Sequence, residues 1–132
     1  MGRDPLCRDV IAIYPMLEDN TTYLLAADFD EASWQADVSA FCKCCNEYGL
    51  TPVERSRSGN GAHVWFFFSE PVPAADARRM GSSLLTKTMA RRHELSFSSY
   101  DRLFPTQDTV PKGGFGNLIA LPFQGQAQRN GN

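Results

Sequence analysis

The sequence predicts an α/β (α+β) domain with a split β-α-β-β-α-β core and one additional C-terminal strand. Three observations lead there. Two strongly apolar runs, TTYLLAADFD (21–30) and AHVWFFFSE (62–70), read as central buried strands. Two stretches carry apolar residues at helical spacing, 34–48 and 74–92. An Asn60-Gly61 dipeptide, a strong hairpin signal, separates TPVERSRS (51–58) from the second apolar run.

Each element follows from local chemistry. Trp34, Val38, Phe41, Cys42, Cys45 and Tyr48 line one face of the first helix, which Ser33 can cap and Gly49 can stop. Pro71 and Pro73 are expected to end the strand begun at Ala62. Ala77, Met80, Leu84, Leu85 and Met89 form the apolar stripe of the second helix. LSFSSYDRLF (95–104) is a fourth strand and GNLIALPF (116–123) a fifth; the tail 125–132 is polar and expected to fray. In a split β-α-β-β-α-β sheet the first and third strands are central and antiparallel. The end of 21–30 then meets the hairpin opening 62–70, and the acidic pair of DFD becomes a neighbour of SGNGAH.

With 132 residues, 42% hydrophobic and 21% charged, the chain has the composition of one soluble globular domain. No apolar run approaches the roughly 18 residues of a membrane span, and MGRDPLCRDV lacks a signal-peptide core, so a cytoplasmic location and no membrane partner are expected. Charge is uneven: residues 1–50 hold nine acids against three bases, residues 51–132 ten bases against six acids. That division could set a cation site beside an anion-binding surface, or be scattered solvated charge. Cys42, Cys44 and Cys45 crowd into CKCC, but no second Cys/His pair matches the C-x-x-C spacing, so thiols packed on a helix are expected rather than zinc.

Asp28 and Asp30 stand two apart at a strand end, which puts both carboxylates on one face. Paired carboxylates repel unless a cation lies between them, and Mg²⁺ or Mn²⁺ takes such oxygens together with substrate phosphates. The same acids could simply precede a helix N-terminus. In SGNGAH, Ser58, Gly59 and Gly61 would let a phosphate approach the backbone, and His63 could hydrogen-bond it; a type I′ hairpin explains the stretch equally well. Trp65 to Phe68 read as core of a strand covered on both faces, not as stacking platforms.

Taken together, D-F-D at 28–30, S-G-N-G-A-H-V-W at 58–65, S-Y-D-R-L-F-P-T-Q-D at 99–108 and G-G-F-G-N-L-I-A-L-P at 113–122 resemble the archaeo-eukaryotic primase superfamily, and most closely the primase–polymerase domain of TOTE conflict systems. The resemblance implies a primase–polymerase type fold with an RRM-like core and a metal-dependent nucleotidyltransferase that joins nucleoside triphosphates on a nucleic-acid template or primer. It implies Mg²⁺ or Mn²⁺ at Asp28, Asp30 and a third acid, for which Asp101 matches best and Asp108 second. The triphosphate contacts map onto Ser58, Gly59, Gly61 and His63, with Arg57 beside them. Where related primases carry an arginine before the last strand this chain has Asn117, and Lys112 could supply that contact. Arg78, Arg79, Lys87, Arg91 and Arg92 could track a template backbone. The resemblance also implies that residues 1–132 are one catalytic domain of a larger protein carrying helicase and nuclease modules. Two other function classes fit the residues: a non-catalytic RRM-like nucleic-acid-binding module, and a metal-dependent phosphoesterase using the same acids.

Overall fold

The structure is a computed structural model that describes residues 12–55, 59–91 and 103–120. Its elements run β1 (Ala12–Ile13), β2 (Thr21–Phe29), α1 (Trp34–Glu47), β3 (Val53–Arg55), β4 (Ala62–Pro73), α2 (Ala74–Arg91), β5 (Leu103–Phe104) and β6 (Ile119–Ala120). Four strands form an antiparallel sheet in the order β3-β4-β2-β5, and β1 pairs antiparallel with β6 in a separate two-stranded sheet. The chain is thus an α+β domain whose two apolar runs, β2 and β4, are the central strands and pair with each other.

Side-chain alternation divides the core in two. Leu25, Ala27, Phe29, Ala62, Val64 and Phe66 face the helices and pack with Phe41, Cys45, Ala77, Leu84 and Leu85. On the other face Leu24, Ala26 and Trp65 pack with Ile119 and, at the margin, with Ile13, Val53 and Phe104. The helices therefore cover one face and the β1–β6 pair covers part of the other. This is why both central strands are near-continuously apolar. Gly81 of α2 permits the close seat of that helix: a Cβ there would lie 3.0 Å from Leu25 and 3.1 Å from Leu103 side-chain carbons.

The helix ends show which sequence signals acted. Gly49 adopts φ 78°; its N–H donates to the Asn46 carbonyl and that of Leu50 to the Cys45 carbonyl, each at 3.0 Å, the paired bonds of a Schellman stop. Ser33, by contrast, makes no side-chain cap. Its hydroxyl donates to the carboxylate of Asp37 at 2.7 Å, because Asp37 is buried in the first turn and a buried carboxylate requires a donor. Asn20 joins three segments. It holds φ 65°, its carbonyl accepts the Ala74 N–H at the start of α2 (2.9 Å), and its Oδ1 accepts the Val110 N–H (2.7 Å). Asparagine tolerates that left-handed backbone better than most residues.

Several expectations are corrected. β4 does not stop at Pro71 but runs through Pro73, with Thr21 opposite Pro73 and Thr22 opposite Val72 beyond a register shift. β3 reaches β4 only at His63, Val64 and Trp65, so the prolines sit where one side of β4 has no β3 neighbour. The connection before β4 is longer than a two-residue hairpin, because the last β3–β4 pair is Arg55 with His63. Asn60 and Gly61 lack the positive φ of a type I′ turn, and Gly59 takes it instead (φ 82°). Tyr48 is exposed at the end of α1, with the Lys87 ammonium 5.2 Å from its ring centre. Phe67, read from the sequence as core, is exposed. The anticipated fifth strand forms as β6, outside the main sheet, while β1 went unanticipated. Most of the anticipated fourth strand, 95–102, and the tail 125–132 lie outside the described residues.

Among the described residues the cysteines are free and no group of three or more His, Cys, Asp or Glu is set to hold a metal; no helix is long and apolar enough to cross a membrane. Burial, reinforced by the neighbouring thiols, pushes the Cys45 thiol up to about 12, and burial likewise raises Cys42. A raised thiol pKa leaves the unreactive protonated form at neutral pH. Accordingly, iodoacetamide at pH 8 should leave Cys45 unmodified in the folded protein and label it fully in urea, as read by peptide mass spectrometry. Leu25→Ala, which empties a fully buried site between sheet and helices, should cost about 2–5 kcal/mol in urea unfolding.

Candidate functional site

The β2–β4 ladder ends where chemistry becomes possible. Its last pairs are Asp28 with His63 and Phe29 with Ala62. Phe29 is buried against Phe41 on the helix side, which turns its neighbour Asp28 to the other face of the sheet. There the His63 Nε2 lies 3.3 Å from Asp28 Oδ1, with side chains 22% and 18% exposed. The contact is a single side-chain pairing between two partly exposed groups at the end of the ladder. What matters is that a carboxylate and an imidazole 35 positions apart in the chain are fixed side by side on a rigid sheet, as the split topology predicts.

The loop before β4 closes tightly on this end. A Cβ on Gly61 would lie 2.6 Å from the Phe29 carbonyl oxygen and 3.2 Å from the Asp30 Cα, so only glycine fits. Asp30 itself follows the last residue of β2 and is exposed. Asp28, Asp30, Gly61 and His63 thus converge at one end of the sheet, with Gly59 two residues upstream of Gly61. Arg55 is the register partner of His63 on β3.

Other residues singled out from the sequence lie elsewhere. Arg57, Ser58, Asp101 and Arg92 fall outside the described residues. Asp108 is engaged by Arg78 of α2 at 2.6 Å, so that carboxylate already has a cationic partner. Lys112 and Asn117 are exposed in the loop between β5 and β6. The bases of α2 are each committed within the domain: Arg78 to Asp108, Arg79 to Asp76, Arg91 to Glu47, and Lys87 to the Tyr48 ring. They also belong to a helix that packs on the opposite face of the sheet from His63. A backbone path along them would be separated from Asp28 by the sheet.

One feature was missed. His63, Trp65 and Phe67 form a row of rings along β4: His63 meets Trp65 edge-on at 5.9 Å, and Trp65 and Phe67 stack at 5.9 Å with planes 1° apart. Alternation placed these three on one face; what the sequence did not reveal is that β3 is too short to flank Phe67.

An antiparallel sheet with two helices on one face and a carboxylate–imidazole pair at the end of its central strands on the other defines an α+β domain with a candidate polar site. Residues 4–132 match the family model of the archaeo-eukaryotic primase domain of TOTE conflict systems, and the chain belongs to that family. No curated protein matches it. Family membership makes a nucleotidyltransferase-type enzyme of the primase–polymerase kind the coarse functional reading.

Because Gly61 packs against backbone, which cannot swing away like a side chain, Gly61→Ala should destabilise the protein by about 1–3 kcal/mol in urea unfolding.

Proposed function

We propose that this chain is a metal-dependent primase–polymerase, joining nucleoside triphosphates on a nucleic-acid template or primer. The observation that carries the reading is the adjacency of Asp28 and His63, with Gly61 packed against Asp30. Carboxylates suited to a cation and an imidazole suited to a phosphate meet at one end of one sheet. The strand order supports taking the core as the split β-α-β-β-α-β, RRM-like arrangement of primase–polymerases, with β1 and β6 as additions.

The donor set fits a hard divalent cation. Asp28 and Asp30 supply oxygens at a partly open position, where Mg²⁺ or Mn²⁺ would keep waters and take phosphate oxygens as further ligands. Asp101 is the third acid of this proposal, and Asp108 is disfavoured by its pairing with Arg78. Bound there, the metals would lower the pKa of a 3′-hydroxyl and neutralise the leaving pyrophosphate. The chain's own residues would do the rest. His63 donates a hydrogen bond to a phosphate oxygen, Gly59 and Gly61 let that phosphate approach the loop backbone, and Ser58 and Arg57 complete the triphosphate cradle. Since His63 also touches Asp28, phosphate and metal positions would be set by one cross-strand pair.

Helicase and nuclease modules of the same protein or system are the proposed partners, and a cytoplasmic location is part of the same proposal. The exposed ring of Phe67 favours a second reading, a non-catalytic RRM-like nucleic-acid-binding module. Metal-dependent triphosphate binding separates the two.

Calorimetric titration with Mn²⁺ should show binding that Asp28→Asn combined with Asp30→Asn abolishes while the fold survives. With Mn²⁺ present, His63→Ala should weaken nucleoside triphosphate binding about ten- to a hundred-fold, as expected from loss of a charge-assisted hydrogen bond. The same variant should leave Mn²⁺ binding largely intact, since His63 is not proposed as a metal ligand. Triphosphate affinity equal to the parent's would return the loop to a plain connection.

A further inference from the structure

We infer that Phe67 is a stacking position for a base of the nucleic-acid strand on which the domain acts, an inference that rests on the function proposed above. Phe67 is 58% exposed although it lies on a central strand, directly opposite Leu24 of β2, which is buried. Exposure of one aromatic ring says little alone. The backing of this ring says more. Trp65, 1% exposed and packed among Leu24, Ala26 and Ile119, lies parallel to it within 1° at a centroid distance of 5.9 Å. The Phe67 ring thus runs parallel to a buried indole while more than half of the residue stays open to solvent.

Position selects the occupant. The row His63–Trp65–Phe67 is continuous through ring contacts, so Phe67 belongs to the same sheet face as the Asp28–His63 pair. Four residues of strand separate it from His63, about 13 Å at 3.3 Å per residue. That is about four stacked steps of a nucleic-acid strand at 3.4 Å each. A strand whose reacting end lies at Asp28 and His63 would therefore bring an upstream or downstream base to Phe67, not the reacting nucleotide itself. Bases offer a π-face whatever their identity, and single-strand binders use aromatic rings on sheets for this purpose. The bases of α2 lie on the opposite face, so Phe67 supplies a contact on the catalytic side that those charges do not.

The test is binding of a short single-stranded deoxyoligonucleotide to the whole chain at low salt, by fluorescence anisotropy, alongside an oligonucleotide of equal length made of abasic sites. Phe67→Ala should weaken binding of the base-bearing strand about five- to a hundred-fold, and Phe67→Tyr should restore most of it. The abasic strand should bind the parent and Phe67→Ala alike. The slope of affinity against salt should be unchanged, since no charge is removed. Equal affinity of parent and Phe67→Ala for the base-bearing strand would overturn the inference, as would no binding by the parent or an equal loss on the abasic strand. Parent self-association that Phe67→Ala abolishes, seen by sedimentation, would overturn it in favour of a second copy on this ring. Mn²⁺-dependent triphosphate binding by the parent, measured without oligonucleotide, reports separately on the enzyme reading: its absence would fell that reading, while base discrimination through Phe67 would still be scored on its own.

Discussion

Pairing Leu25 with Phe66 and pairing Asp28 with His63 are consequences of one constraint, the register of β2 against β4. Because side chains alternate, a slip of one residue would send Leu25, Ala27 and Phe29 away from the helices and carry Asp28 into the core in their place. Burial of the apolar set on the helix side thus enforces the register, and the register sets a carboxylate beside an imidazole on the other side. The apolar burial that fixes the register lies in the core, whereas the polar pair lies on the opposite face.

The two faces of the sheet are consequently unequal. On one, α1 and α2 seal the core, and the charges of α2 close on partners within the domain: Arg78 on Asp108, Arg79 on Asp76, Arg91 on Glu47. On the other, among the described residues, the β1–β6 pair and the margins of β3 and β5 cover Leu24, Ala26 and Trp65. Where this cover ends, the polar pair emerges at one extremity and Phe67 at the other.

Glycine and asparagine mark the places where this arrangement demands a close backbone approach or a left-handed residue. Gly61 admits the loop against the Phe29 carbonyl, and Asn20 links the entry of β2, the start of α2 and the segment after β5. These are local solutions to contacts between segments distant in sequence. Their identities follow from sterics at the contact and not from the propensity of the segments that contain them.

From the sequence alone, apolar runs and helical spacing determined the two central strands, both helices and the antiparallel neighbourhood of DFD and SGNGAH, because each rests on periodicity or on a topology with few alternatives. Gly49 as a helix stop was legible for the same local reason. What only tertiary structure decided is coverage. Whether Phe67 is core, whether Pro71 ends a strand, whether Ser33 caps a helix and whether the last strand joins the main sheet all depend on what lies alongside. Phe67 is exposed because β3 spans three residues; β4 passes through its prolines because no β3 neighbour requires their N–H; Ser33 turns to Asp37 because that carboxylate is buried. Periodicity reports which face a side chain takes, but burial is a property of the neighbours, and those neighbours are supplied by distant parts of the chain.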